Sequence, residues 1–130
     1  MRFVLDTSVL IALERNDPQI ISRLNELSKL SSGPPQVTII SRFELLVGLN
    51  KKEPKNKQKA IELLNKFTCI SATARTADIL AHLKQTYDEK GISISLADLL
   101  IASQVKEYNL TLITKDNDFE KIKEINKIIL

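Results

Sequence analysis

Four carboxylates draw attention by their position in the chain. Asp6 closes a short apolar run in FVLDTSVLI, Glu44 lies in ISRFELL, Asp98 lies in ISLADLL, and Asp116 follows TLIT. Each falls where strand-like residues give way to a helical pattern. A hydroxyl stands beside each acid: Thr7, Ser41, Ser95 and Thr114. Capping accounts for part of this, because Ser41-x-x-Glu44 has the form of a capping box and Ser95-x-x-Asp98 is its looser version. Asp6 and Asp116 can also serve as helix or turn caps. With a hydroxyl at every transition, however, the acids exceed what capping needs.

Gathering like charges is costly. Two carboxylates ~4 Å apart repel by about 4 kcal/mol at an effective dielectric near 20, and an exposed helix N-terminus returns only about 0.3 to 1 kcal/mol. A divalent cation offsets far more. An all-oxygen donor set without His or Cys selects a hard ion, Mg²⁺ or Mn²⁺, over zinc. Cys69 belongs to a strand and the lone His82 to a long helix, so neither completes a zinc set. A carboxylate-held ion suits phosphodiester hydrolysis, since it acidifies water and offsets charge on the phosphate and leaving oxygen. The chain has no Ser/His/Asp arrangement, no glycine-rich phosphate loop and only three glycines, which argues against nucleotide-cofactor chemistry.

These acids need a frame that brings them together. Short β-branched or apolar runs at residues 2–5, 37–40, 67–70, 111–114 and 127–130 alternate with segments of helical period at 7–15, 18–30, 42–50, 55–66, 72–90 and 96–108, with a last short turn at 119–123. That alternation predicts an α/β fold with a mostly parallel sheet. Pro18 suits a first helical turn and Gly91 a helix end. In a parallel sheet the helices that follow strands begin at the carboxyl edge, where open α/β folds bind ligands. All four acids should therefore share one edge.

At 130 residues the chain is expected to form a single domain. The start MRFVLD lacks a leader-like apolar stretch, no run approaches a membrane span of ~20 residues, and a lone cysteine fits a reducing interior, so a cytoplasmic location is expected. The net charge of +3, from 19 basic and 16 acidic residues, is a mild bias toward polyanions.

At these acids the sequence resembles the PIN-domain ribonucleases, and among them the VapC toxins of prokaryotic toxin–antitoxin pairs. The resemblance rests on V-L-D-T-S near the start, a Glu opening the helix after the second strand, L-A-D-x-x-I-A in the third quarter, and L-I-T-x-D-x-D-F near the end. It implies a three-layer α/β/α fold with a five-stranded parallel sheet in the order 3-2-1-4-5, and metal-dependent endonuclease activity on RNA. By position, Asp6, Glu44, Asp98 and Asp116 match the family's acids, and Thr7 and Thr114 match hydroxyls that arrange the site. Many toxin members carry Asn-x-x-Asp-Phe where this chain has Asp116-Asn117-Asp118-Phe119, so the fourth ligand is Asp116, Asp118 or both, with Asp116 favoured and Phe119 read as core. The resemblance also implies a homodimer and a VapB-like antitoxin whose C-terminal segment crosses the site.

Two basic features are candidate RNA contacts: Arg42, two residues before Glu44, and KKEPKNKQK at residues 51–59, which reads equally as a solvated loop. The apolar residues of the first helical hairpin, Val9 through Leu27, read mostly as core. A receiver-like signalling module, which also gathers acids around Mg²⁺, is an alternative, but FTCIS offers no acid at the end of its strand to accept a phosphoryl group. A PIN domain that has lost activity and serves as a binding partner is the other.

Overall fold

The computed structural model describes every residue from Met1 to Leu130. Five strands, β1 (Phe3–Leu5), β2 (Gln36–Val37), β3 (Thr68–Cys69), β4 (Thr111–Thr114) and β5 (Asn126–Ile129), form one parallel sheet in the order β3-β2-β1-β4-β5. The expected order 3-2-1-4-5 is thus observed. A flavodoxin-like receiver sheet has the order 2-1-3-4-5, so the topology removes the receiver alternative.

Six α-helices cover the sheet: α1 (Thr7–Glu14), α2 (Pro18–Ser28), α3 (Ile39–Gly48), α4 (Pro54–Leu64), α5 (Ala74–Glu89) and α6 (Leu96–Glu107). Two 3₁₀ turns, Leu49–Lys51 and Asn117–Lys121, join them. Side chains alternate across each strand, which divides the core in two. Phe3, Leu5, Val37 and Ile113 pack with Val9, Leu10, Ile20, Leu27, Leu45 and Leu64 on one face. Val4 and Leu112 pack with Leu83, Tyr87, Leu99, Ile101 and Phe119 on the other. The hairpin residues Val9, Leu10, Ile20 and Leu27 and the aromatic Phe119 are therefore core, as expected. No helix is long and apolar enough to cross a membrane.

Local chemistry sets the helix limits. Pro18 occupies the first turn of α2 while the side chain of Asp17 accepts from the amides of Gln19 and Ile20. Helix α5 stops before Gly91, whose φ of +68° lies in the left-handed region that glycine adopts without a Cβ penalty. The second strand is shorter than the run VTII suggested. It ends at Val37, and Thr38 then caps α3 by accepting from the Ser41 amide at 3.1 Å. The Ser41-x-x-Glu44 capping box is therefore not formed, and Glu44 stands in the second turn of α3. Two consecutive isoleucines fit strand or helix equally, and the threonine hydroxyl before them decided for the helix.

Candidate active site at the carboxyl edge

Asp6 is the one residue between β1 and α1, and its backbone belongs to both. Its amide donates to the Ile113 carbonyl at 3.0 Å, in register with the sheet, and its carbonyl accepts from the amides of Val9 and Leu10. Although Asp6 holds the N-cap position, its side chain makes no capping bond. Only 6% exposed, its Oδ2 instead accepts from Thr114 Oγ1 at 2.8 Å and Ser8 Oγ at 3.1 Å. The carboxylate is thus aimed along the sheet edge, away from the helix amides.

Thr114, fully buried at the end of β4, links two acids: its hydroxyl donates to Asp6 and accepts from the Asp116 amide at 3.0 Å. Asp116 accepts from the Asp118 amide at 2.9 Å, which folds the following 3₁₀ turn back toward the edge. Ser95 caps α6 through the Asp98 amide and so starts that helix beside the same edge. As a result, carboxylate oxygens of Asp98, Asp116 and Asp118 lie within 4.8 Å of one another.

The electrostatics confirm that the acids crowd. Burial, then the charges of Asp116 and Asp6, and last that of Asp118 push the Asp98 carboxyl up to about 6, against the opposing hydrogen bond of Ser95. Lys121 Nζ, 3.8 Å from Asp118, is the cation paired with this group, and no basic side chain pairs with Asp6, Asp98 or Asp116. An all-oxygen set in which Asp6, Asp98 and Asp116 have no basic partner fits a hard divalent cation.

Of the residues expected from sequence, Asp6, Asp98, Asp116, Asp118 and Thr114 meet here. Glu44 is outside the three-acid cluster and reaches the edge from α3, where it accepts from Thr7 Oγ1, one residue from Asp6, at 2.8 Å. Arg42 is not beside Glu44 in space. Two positions correspond to roughly 200° around a helix, and the Arg42 charge acts on Cys69 at β3, where burial raises the thiol and Arg42 partly lowers it. Ser8 escaped the sequence reading, yet its hydroxyl donates to Asp6, accepts from the Lys115 amide at 3.0 Å and lies 3.4 Å from Thr114 Oγ1. Its signal was the hydroxyl two residues after an acid at a helix start.

Comparison with known proteins agrees with this geometry. The PIN-domain family profile matches residues 3–125. The chain is 27% identical over 131 residues to Ribonuclease VapC2 of Rickettsia felis, covering 100% of this chain and 96% of that protein. Its fold superposes with a TM-score of 0.88, at 24% identity and covering 100% and 99% of the two chains, on the crystal structure of VapBC2 from Rickettsia felis bound to a DNA fragment from their promoter. The structure of VapBC-1 from nontypeable Haemophilus influenzae gives a TM-score of 0.83 at 25% identity, covering 99% and 98%. By sequence profile, strand order and edge geometry alike, the chain belongs to the PIN-domain family.

Proposed function

We propose that this protein is a metal-dependent endoribonuclease, a VapC-like toxin that hydrolyses RNA phosphodiester bonds at its carboxyl edge. The observation that carries the reading is the convergence of Asp98, Asp116 and Asp118, with Asp6 bridged to them by Thr114. Asp6, Asp98 and Asp116 would hold Mg²⁺ or Mn²⁺, with Asp118 and Glu44 flanking. When bound, the ion supplies a Lewis acid that acidifies water and offsets charge on the phosphate and leaving oxygen.

The chain's own contribution is orientation. Ser8 and Thr114 fix the Asp6 carboxylate with two hydroxyl donors, and Thr7 holds Glu44. These bonds set the carboxylates before substrate arrives, which lowers the reorganisation needed at the reacting phosphate.

The relatives named VapC and the neighbours solved as VapBC complexes support a VapB-like antitoxin as partner. An antitoxin cation laid over the edge would offset the unpaired carboxylates. A homodimer is part of the same reading, supported by Phe43 and Val47 on α3, which stay 61% and 53% exposed.

The test is cleavage of a single-stranded RNA with the product ends identified. Wild type should cut in Mg²⁺ or Mn²⁺ and stop in EDTA, and attack by water leaves no 2′,3′-cyclic phosphate. Asp98→Asn should lose at least about a hundredfold, the scale of removing a group that stabilises the transition state. Undiminished cutting in EDTA, or cyclic-phosphate ends, would refute the mechanism.

A further inference from the structure

Helices α1 and α3 run side by side away from the carboxyl edge and are tied at both ends. Thr7 donates to Glu44 near the edge, and Lys52 Nζ pairs with Glu14 at 2.6 Å beyond the far end. Between the ties lies an open groove of about 190 Å³, lined by Ile11, Glu14, Arg15, Glu44, Gly48 and Lys52. Gly48 lines it without a side chain. The residue is right-handed helical, with φ −63° and ψ −21°, and a Cβ built there meets nothing within 4 Å.

The groove carries a gradient of charge. Glu44 and the carboxylate cluster lie at one end. At the other, Glu14 is neutralised by Lys52, while the exposed Arg15 makes no ion pair. In sequence, Lys51 precedes Lys52 and Lys55, Lys57 and Lys59 follow it on α4, and none of the four is paired with an acid. From Thr7 to Arg15 is eight residues, or about 12 Å of helix. A polyanion whose reacting phosphate sits among carboxylates needs its neighbouring phosphates held by cations elsewhere, and the unpaired Arg15 lines the groove beside the lysine-rich segment that begins at Lys51.

We propose that the α1–α3 groove is the track for the backbone of single-stranded RNA leaving the cleavage site, with Arg15 and Lys51 holding phosphates at its far end. The inference rests on reading the carboxylate edge as a ribonuclease centre. Ile11 supplies an apolar wall for a ribose or base.

The test uses a fluorescently labelled single-stranded RNA of about ten nucleotides, with binding followed by anisotropy in EDTA as salt is varied. Gly48→Glu, which adds a carboxylate to the groove lining, should bind at least about tenfold more weakly than Gly48→Ala, a loss equal to about 1.4 kcal/mol. The double variant Arg15→Gln with Lys51→Gln should flatten the slope of log affinity against log salt by about 1.4, at about 0.7 per phosphate contact on a single strand. Equal binding by the two Gly48 variants, with an unchanged slope, would overturn the track and leave the groove to another occupant, such as a protein segment. Cleavage in Mn²⁺ is read in parallel. If wild type cuts RNA and the variants keep its KM, only the track fails. If the variants change binding as stated but wild type never cuts, only the nuclease reading fails.

Discussion

Asp98→Asn should stabilise the metal-free protein, and only above a definite pH. The Asp98 carboxyl is pushed from 3.8 up to about 6, by burial first and by Asp116 and Asp6 next. A shift of that size corresponds to about 3 kcal/mol at 1.36 kcal/mol per unit. The side chain is only half-buried, so solvent screening reduces the figure to roughly 1 to 1.5 kcal/mol. The folded state disfavours the ionised form, so below pH 3.8 both states are protonated and there is no penalty. Between 3.8 and about 6 the unfolded chain releases its proton first, stability falls as pH rises, and above about 6 the penalty is complete. The amide side chain carries no charge, while the cap from Ser95 to the residue 98 amide is a backbone bond that survives. In EDTA at pH 8 the variant should melt about 4 to 6 °C above wild type, and at about pH 3, below both values, the two should coincide. Thermal unfolding by circular dichroism at constant ionic strength measures both. Equal gains at the two pH values, or a loss at pH 8, would refute the view that repulsion among these carboxylates is the cause.

Three further outcomes follow from the same contacts. Asp6→Asn should not share the gain of Asp98→Asn, because Asp6 accepts two hydroxyl bonds that weaken without its charge; its melting temperature in EDTA should equal or fall below that of wild type. Thr114→Val removes a buried hydroxyl that donates to Asp6 and accepts from the Asp116 amide, and should cost about 1 to 3 kcal/mol in urea unfolding together with most of the RNA cleavage. Gly48→Ala should raise stability by about 0.5 to 1 kcal/mol by the same measurement, because the position is helical and its Cβ is unobstructed.

Much of this arrangement was legible in the sequence, for physical reasons that differ by element. The strand of residues 111–114 was placed to the residue, because TLIT is bounded by Asn109 on one side and by the turn residues Lys115 and Asp116 on the other. Asp6, Asp98 and Asp116 were recognisable because each acid sat beside a hydroxyl that could cap in its place. Glu44 was legible by type, and only its turn of the helix differs from the expected one. Ser41-x-x-Glu44 satisfies a local pattern, but Thr38 took the cap three residues earlier and moved the acid into the helix interior. The bond from the Lys115 amide to Ser8 joins residues 107 positions apart, and no local pattern encodes it. Arg15 gained meaning only when α1 was laid beside α3.

The proposed activity requires that the carboxylates at this edge form a metal site. Titration of Mn²⁺ into the purified protein, with free ion read by electron paramagnetic resonance, tests it most directly. Wild type should bind Mn²⁺ saturably, and Asp98→Asn and Asp116→Asn should each weaken binding by about tenfold or more, the scale of about 1.4 kcal/mol per lost ligand charge. Binding of unchanged strength and stoichiometry in both variants would contradict the account.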